Sequence, residues 1–328
     1  MIYSKTEAID LMNEWGSEGI PFLFLIDFEM KAIRMHRLDM DMPPDLHYSF
    51  HEDQAVFSED RLSTECIFTK HPVSFTEYVQ AFNQIQDEIH AGNSFLLNLT
   101  FPTPIETNLT LEEIYRLSRA PYRILLENHF VCFSPESFIT IHNGIITTRP
   151  MKGTINASLP LAEKMLIENV KESAEHHTVV DLLRNDLSRV AGEVTVKSFR
   201  YCEKIVTNRG SILQTSSEIT GRLPVNYQCM LGSIVFSMLP AGSVSGAPKE
   251  KTLEIIRKTE KADRGYYTGI CGIFDGDKLD SAVMIRMIEM NNGMMRFRSG
   301  GGITFLSNAR EEYEELIEKV YVPIVYNY

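Results

Sequence analysis

The chain is 328 residues long, 44% hydrophobic, 23% charged and 10% aromatic, enough for one large or two modest domains with sizeable cores. Its formal charge of −12 excludes a general nucleic-acid binder, which needs a basic patch or stripe. Five scattered cysteines with no CxxC pair exclude a disulfide framework and a structural zinc site, and they fit a reducing compartment.

The amino terminus, MIYSKTEAIDLMNEW, lacks the apolar core of a signal peptide. The apolar run Ile20–Ile26 falls well short of the ~20 residues that a bilayer takes. The expectation is a cytoplasmic protein with no membrane span. Residues 1 to about 70 read as a short helix, some strands and a Pro/Asp/His-rich loop near Met42–Gln54. Ser74-Phe-Thr-Glu77 is a capping box, and Phe75, Val79, Phe82, Ile85 and Ile89 follow at helical spacing up to Gly92. Phe95–Phe101 reads as a strand, and His129–Thr148 as a strand-rich stretch with a hairpin at Asn143-Gly144.

Helices are predicted at about Pro160–Val170 and Glu172–Val190, followed by strands rich in Val, Thr and Phe. Asp275-Gly276 and Asn292-Gly293 mark hairpins around a strand Ala282–Met290. Helical patterns at about Tyr227–Met238, Pro248–Thr259 and Asn308–Val320 complete the chain. Strands and helices mix without strict βαβ alternation, so the fold class is α+β. The expected organisation is a short amino-terminal segment, 1–74, packing on one catalytic domain, 75–328.

The first chemical signal is carboxylate. Glu172 and Glu175 lie at i,i+3 on one helix face, and Glu312 and Glu315 repeat the spacing on the last helix. Facing each other, the two pairs would make an all-oxygen site suited to Mg²⁺. Glutamates at this spacing also simply decorate solvated faces. Ala241-Gly-Ser-Val-Ser-Gly-Ala-Pro-Lys249 runs into a helix that Ser245 could cap, and its amides with Lys249 would suit an anion; it does not fit a P-loop. Ser299-Gly-Gly-Gly302 is read as following a strand and lets a ligand approach the backbone. In Arg149-Pro-Met-Lys-Gly-Thr154 a strand is read as ending in a turn, where Lys152 is a candidate nucleophile or fixed cation. Arg286 sits in an apolar strand, so its guanidinium needs a carboxylate partner, from protein or from ligand.

In order along the chain, RPMKGT, EHHTVVDLLRNDLSRV, GSVSGAPKEKTLEII, RGYYTGICGIF, DSAVMIRMIEM, SGGGIT and EEYEELIEKV resemble the blocks of the chorismate-utilising enzymes, over roughly Phe75 to Val320. Within that family the match is to component I of aminodeoxychorismate synthase. The resemblance implies a chorismate-binding-enzyme fold of mixed, largely antiparallel sheets flanked by helices. It implies Mg²⁺ held directly by Glu175 and Glu315, and through water by Glu172 and Glu312. Arg286, Tyr267, Lys249, Thr154 and the amides of Gly300, Gly301 and Gly302 would bind substrate, with Ser245 nearby. Glu136, in Ser134-Pro-Glu-Ser-Phe138, matches the general acid that protonates the departing C4 hydroxyl.

The same resemblance makes Lys152 the nucleophile at C2 of chorismate, displaced when ammonia adds at C4. Anthranilate synthases typically have alanine there, and isochorismate and salicylate synthases lack this lysine and place another where Leu96 stands. The sequence departs from this branch at Leu96, Met151 and His176-His177. No glutaminase motif is present: Gly269-Ile-Cys-Gly-Ile273 belongs to the matched RGYYTGICG block. A separate glutaminase subunit is therefore expected to supply ammonia. With about 75 residues ahead of the matched core, no tryptophan feedback is expected. The alternatives are anthranilate synthase component I, a non-catalytic chorismate-binding regulatory subunit, and a Mg²⁺-dependent phosphoryl-transfer enzyme.

Overall fold

The computed structural model describes residues 1–51, 66–207, 210–260 and 262–323. In chain order its elements are α1 (Lys5–Glu18), β1 (Phe22–Ile26), β2 (Arg34–Arg37), β3 (Leu46–Phe50), β4 (Phe68–Lys70), α2 (Phe75–His90), β5 (Leu96–Thr107), α3 (Leu111–Leu117), β6 (Tyr122–Leu126), β7 (Phe130–Ser134), β8 (Ser137–His142) and β9 (Ile145–Thr148). There follow β10 (Met151–Asn156), α4 (Ala162–Glu168), α5 (Val170–Ser188), β11 (Gly192–Thr207), β12 (Gly210–Arg222), α6 (Leu231–Ser237) and β13 (Gly246–Ala247). The chain finishes with α7 (Lys249–Glu260), β14 (Ile270–Phe274), β15 (Leu279–Val283), β16 (Met287–Asn291), β17 (Met294–Thr304) and α8 (Ala309–Glu318).

The chain divides into two compact units, each assembled from separate stretches. The first comprises Met1–Asp41, Glu136–Lys249 and Arg264–Val283; the second comprises Met42–Pro135, Glu250–Asp263 and Met284–Tyr328. The amino-terminal segment therefore does not end as a unit at residue 74. Strand β1 pairs with β14 and β2, while β3 pairs with β6, so this segment is shared out between the two units by strand pairing.

In the first unit the sheet runs β10-β12-β9-β8-β15-β14-β1-β2. The antiparallel β11 lies along the other edge of β12. Strand β1, Phe-Leu-Phe-Leu-Ile, is buried at every position, as expected of a strand covered on both faces. Phe22 stacks at 5.4 Å on Phe274, and Gly272 is required opposite, because a Cβ there would lie 2.3 Å from the Phe24 ring. Helix α1 starts at Ser4 with a complete capping box to Glu7 and stops at Gly19, whose φ is +67°.

The second unit holds the sheet β5-β17-β16-β7-β6-β3, with β4 beside β5. Its core gathers Ile105, Ile114, Leu125, Val131, Phe133, Ile288 and Phe297. Helix α2 begins where predicted, with Ser74 Oγ accepting the Glu77 amide at 3.2 Å. The three predicted hairpins are present, with positive φ at Asn143, Gly144, Asn292, Gly293 and Gly276. The class is α+β with antiparallel pairing throughout the registered strands, as expected.

Four local readings change. The loop expected near 42–54 contains the strand Leu46–Phe50, paired to β6, while residues 52–54 lie outside the described residues. The strand expected at Ala282–Met290 is two strands in two different sheets. They part at Met284–Arg286, where Arg286 takes φ +54° and its carbonyl accepts the Phe133 amide. The glycine run lies inside β17 rather than after it, and RPMKGT runs into β10 rather than ending a strand.

Candidate functional site

Lys152 stands in β10 opposite Thr215 of β12, and the Thr215 hydroxyl donates to the Lys152 carbonyl. The register slips between Lys152 and Thr154 because Gly153 adopts φ +70°, a conformation that side chains rarely take. A Cβ on Gly153 would also lie 3.1 Å from Glu172 Oε2 and from Leu166. This bulge lets β10 run close under α5. Asn169 caps α5 by accepting the Glu172 amide at 3.0 Å, which sets where the helix begins and hence where Glu172 and Glu175 fall. Lys152 Nζ then meets Glu175 Oε2 at 3.2 Å, with the glutamate side chain only 9% exposed. Thr154, two residues on, is exposed.

His176, next on α5, is fully buried, and burial brings its pKa down to about 4. Its Nε2 lies 2.6 Å from Ser217 Oγ. Folding therefore requires the neutral imidazole. With an unfolded value near ~6.5, the unfolded chain binds the extra proton between pH 6.5 and about 4, and stability falls as pH falls through that window. His176→Gln, which cannot protonate, is expected to flatten this slope by on the order of 2 kcal/mol. Thermal unfolding of both proteins from pH 7 to pH 4 checks it; parallel curves would refute it.

The loop before α7 supplies two contacts. Ser243 donates to Glu136 Oε1 at 2.6 Å, fixing the carboxyl group. Lys249 donates to Asp186 Oδ2 at 3.0 Å and to the Met238 carbonyl at 2.9 Å, with 9% and 1% of the two charged side chains exposed. Burial pushes the Asp186 carboxyl up and the Lys249 ammonium down, each opposed by the partner's charge. Two of the three Lys249 donors are thus committed inside the unit, anchoring α5 to the loop. Ser245, expected as a helix cap, is fully buried and donates instead to the Ala241 carbonyl at 2.8 Å. Tyr267 is 4% exposed.

In the second unit Asn308 caps α8 by accepting the Arg310 and Glu311 amides. Glu312, 4% exposed, lies beside the glycine strand: a Cβ on Gly301 would sit 3.4 Å from its Oε2. Glu315 pairs with Lys319 at 2.6 Å, and Lys319 Nζ also donates to the Gly300 carbonyl at 2.9 Å. Arg286 Nη1 donates to the Lys319 carbonyl at 3.2 Å, and its guanidinium lies 5.3 Å over the Tyr321 ring. On the protein side, the Arg286 guanidinium thus meets a carbonyl and a ring. Burial, then the charges of Glu312 and Glu315, push the Tyr78 phenol up.

The glycine amides are not equivalent. Strand β17 pairs with β5 from Arg296 to Thr304, but with β16 only as far as Arg298. Pro102 and Pro104, which have no amide hydrogen, stand opposite Arg298 and Arg296, and the Thr100 amide opposite Gly300 is spent on Glu260. By antiparallel alternation Gly301 faces β5, while Gly300 and Gly302 present their amides at the other edge, where Lys319 reaches Gly300. Two amides, an ammonium and a guanidinium linked through Lys319 are suited to an anion.

For the expected Mg²⁺, among the described residues no three His, Cys, Asp or Glu side chains gather as a ready cluster. Each unit taken by itself holds a carboxylate pair one helical turn apart, and in each the expected direct ligand holds a cationic group, Lys152 on Glu175 and Lys319 on Glu315. Hard oxygen donors that already hold a positive charge fit this ion. Ser243 and Lys319 were not singled out in the sequence. Lys319 had a signal, the i,i+4 spacing from Glu315, whereas nothing local separates Ser243 from Ser245.

Residues 30–324 match the chorismate binding enzyme family. A Haemophilus influenzae protein named an uncharacterized PabA-like protein is 52% identical over 317 residues, covering 96% of both chains. Component 1 of aminodeoxychorismate synthase from Salmonella typhimurium is 34% identical over 260 residues, 74% of this chain and 56% of that one. The crystal structure of anthranilate synthase component I from Streptococcus pneumoniae superposes with a TM-score of 0.66 at 28% identity, covering 80% of this chain and 60% of that one.

Proposed function

The chain belongs to the chorismate-binding enzymes, and within that family we propose that it is component I of an aminodeoxychorismate synthase, converting chorismate and ammonia to 4-amino-4-deoxychorismate. The observation that carries this reading is Lys152, held in a bulged strand with its Nζ on Glu175. A lysine so placed, once it has given up its proton, forms a bond to C2 of chorismate as the C4–O bond breaks. Glu136, held by Ser243, gives the C4 oxygen its proton, so that water leaves. Ammonia then bonds to C4 as the two ring double bonds, displaced by the attack at C2, shift back and the lysine nitrogen is expelled, and the ammonium at C4 loses its extra proton; the enolpyruvyl group stays throughout.

Arg286 and the Gly300 and Gly302 amides bind the substrate's carboxylates, with Lys319 alongside. Glu175 and Glu315, with Glu172 and Glu312, would hold Mg²⁺, which when bound neutralises a substrate carboxylate. Lys249 acts by holding α5 in place. A separate glutaminase subunit supplies ammonia in the cytoplasm, and a separate lyase completes p-aminobenzoate for folate synthesis.

Incubating the protein with chorismate, Mg²⁺ and ammonium salt, followed by mass spectrometry, tests the reading. The expected product retains the enolpyruvyl group; anthranilate with pyruvate would establish the anthranilate synthase alternative instead. Ser243→Ala is expected to lower kcat by about tenfold with KM little changed, because a hydrogen bond to a charged group contributes about 1.5–3 kcal/mol. Steady-state kinetics on chorismate check this, and an unchanged kcat would remove Ser243 from the acid's support.

A further inference from the structure

Arg200 lies in β11 where its register against β12 slips, between Ser198 and Tyr201, and it takes φ +47°. A non-glycine residue in this region needs surrounding contacts to hold it there. Those contacts reach the helix that carries Glu172 and Glu175, the helix before it, and the strand behind it. Nη1 donates to Ser173 Oγ of α5 at 2.7 Å, and Nη2 to the Leu166 carbonyl at 3.2 Å. That carbonyl belongs to the last turn of α4, whose carbonyls have no intrahelical partner. The Arg200 amide donates at 2.9 Å to Ser217 Oγ, the atom 2.6 Å from His176 Nε2.

Ser173 and His176 are spaced i,i+3 on α5, as are Glu172 and Glu175, and each follows one of the glutamates by one residue. One residue thus ties down the neighbouring stripe of the helix on both turns that present the carboxylates. It also closes the α4–α5 junction at Asn169, which ends one helix and caps the next. Among the described residues Arg200 makes no ion pair, and its buried Nε has no acceptor. Keeping a guanidinium there on neutral partners is a poor way to gain stability, but it gives planar reach to two elements at once.

We propose that Arg200 is a positioning residue, clamping α4 and α5 to β11 and β12 so that Glu172 and Glu175 are presented at fixed spacing to a divalent cation. This rests on the functional reading of those two glutamates. The test uses the full chain with Arg200→Gly, which relieves the positive φ while removing the guanidinium, alongside Arg200→Lys and Glu175→Gln. Mn²⁺ binding, followed by electron paramagnetic resonance, and hydrogen exchange of amides 170–177 are read on each.

The expected result is Mn²⁺ affinity at least tenfold weaker and faster exchange across 170–177 in Arg200→Gly. Partial recovery is expected in Arg200→Lys and on adding millimolar guanidinium. Unchanged exchange in Arg200→Gly would overturn the clamp, as would unchanged Mn²⁺ affinity in a protein where Glu175→Gln loses it. If Glu175→Gln binds Mn²⁺ as tightly as the unaltered chain, the carboxylate reading fails instead, and the exchange data alone decide the clamp. Should Arg200→Gly not fold, Ser173→Ala removes only the α5 contact and is judged by the same two measurements.

Discussion

Lys249→Met is expected to destabilise the protein by about 3–5 kcal/mol, enough to threaten folding at growth temperature. Lys249 and Asp186 are 63 residues apart in sequence and meet where only 9% and 1% of their side chains are exposed. Removing the cation leaves a buried carboxylate packed beside Leu182, with only the more distant charge of Arg189 to offset it: a Cβ on Gly242 would lie 2.9 Å from Leu182 and 3.0 Å from Asp186 Oδ2. The double variant Lys249→Met/Asp186→Leu is expected to recover most of the loss, because it removes both charges rather than orphaning one. Denaturant unfolding of the two variants separates the cases. A single variant within 1 kcal/mol of the unaltered protein would show that the pair does not anchor α5 to the loop.

Lys152→Ala is expected to cut formation of 4-amino-4-deoxychorismate by about a thousandfold or more while leaving the fold intact. The side chain is only partly buried, and its partner Glu175 loses one ion-pair contact rather than its packing. Single-turnover assays with ammonium as nitrogen source, read by mass spectrometry, give the rate without a glutaminase. Full activity in this variant would dismiss the lysine mechanism. A variant that instead releases a different chorismate product would show that Lys152 directs the outcome and that the remaining residues activate the C4 hydroxyl without it.

Much of this was legible because it is local. The turn pairs Asn143-Gly144 and Asn292-Gly293 supply the positive φ that tight hairpins need, and the structure places hairpins there. Ser74 and the apolar spacing after it mark α2 to within a residue. The i,i+3 spacing of Glu172 with Glu175, and of Glu312 with Glu315, follows from helix geometry alone.

What depended on pairing was not legible. The apolar run through Arg286 reads as one strand because both halves are apolar. Its break at 284–286 follows from β15 pairing with β14 and β8 while β16 pairs with β17 and β7. The glycine run looks like a loop because glycine weakens strands, yet β5 supplies a partner along its whole length, and a Cβ on Gly300 would lie 2.6 Å from the Leu99 carbonyl oxygen and 2.7 Å from the Thr100 methyl group.

By itself the sequence determined the family, the class of fold, the places where the chain turns and the residue types on hand for the chemistry, since these depend on short-range geometry and on motifs in order. Tertiary structure alone decided which of those residues are available: Lys152 meets Glu175 across 23 residues, Ser243 meets Glu136 across 107, and Lys249 is taken by Asp186. The reason is physical, because the partner of a buried charge is chosen by the elements that fold against it, and the distance between them along the chain carries no trace of that choice.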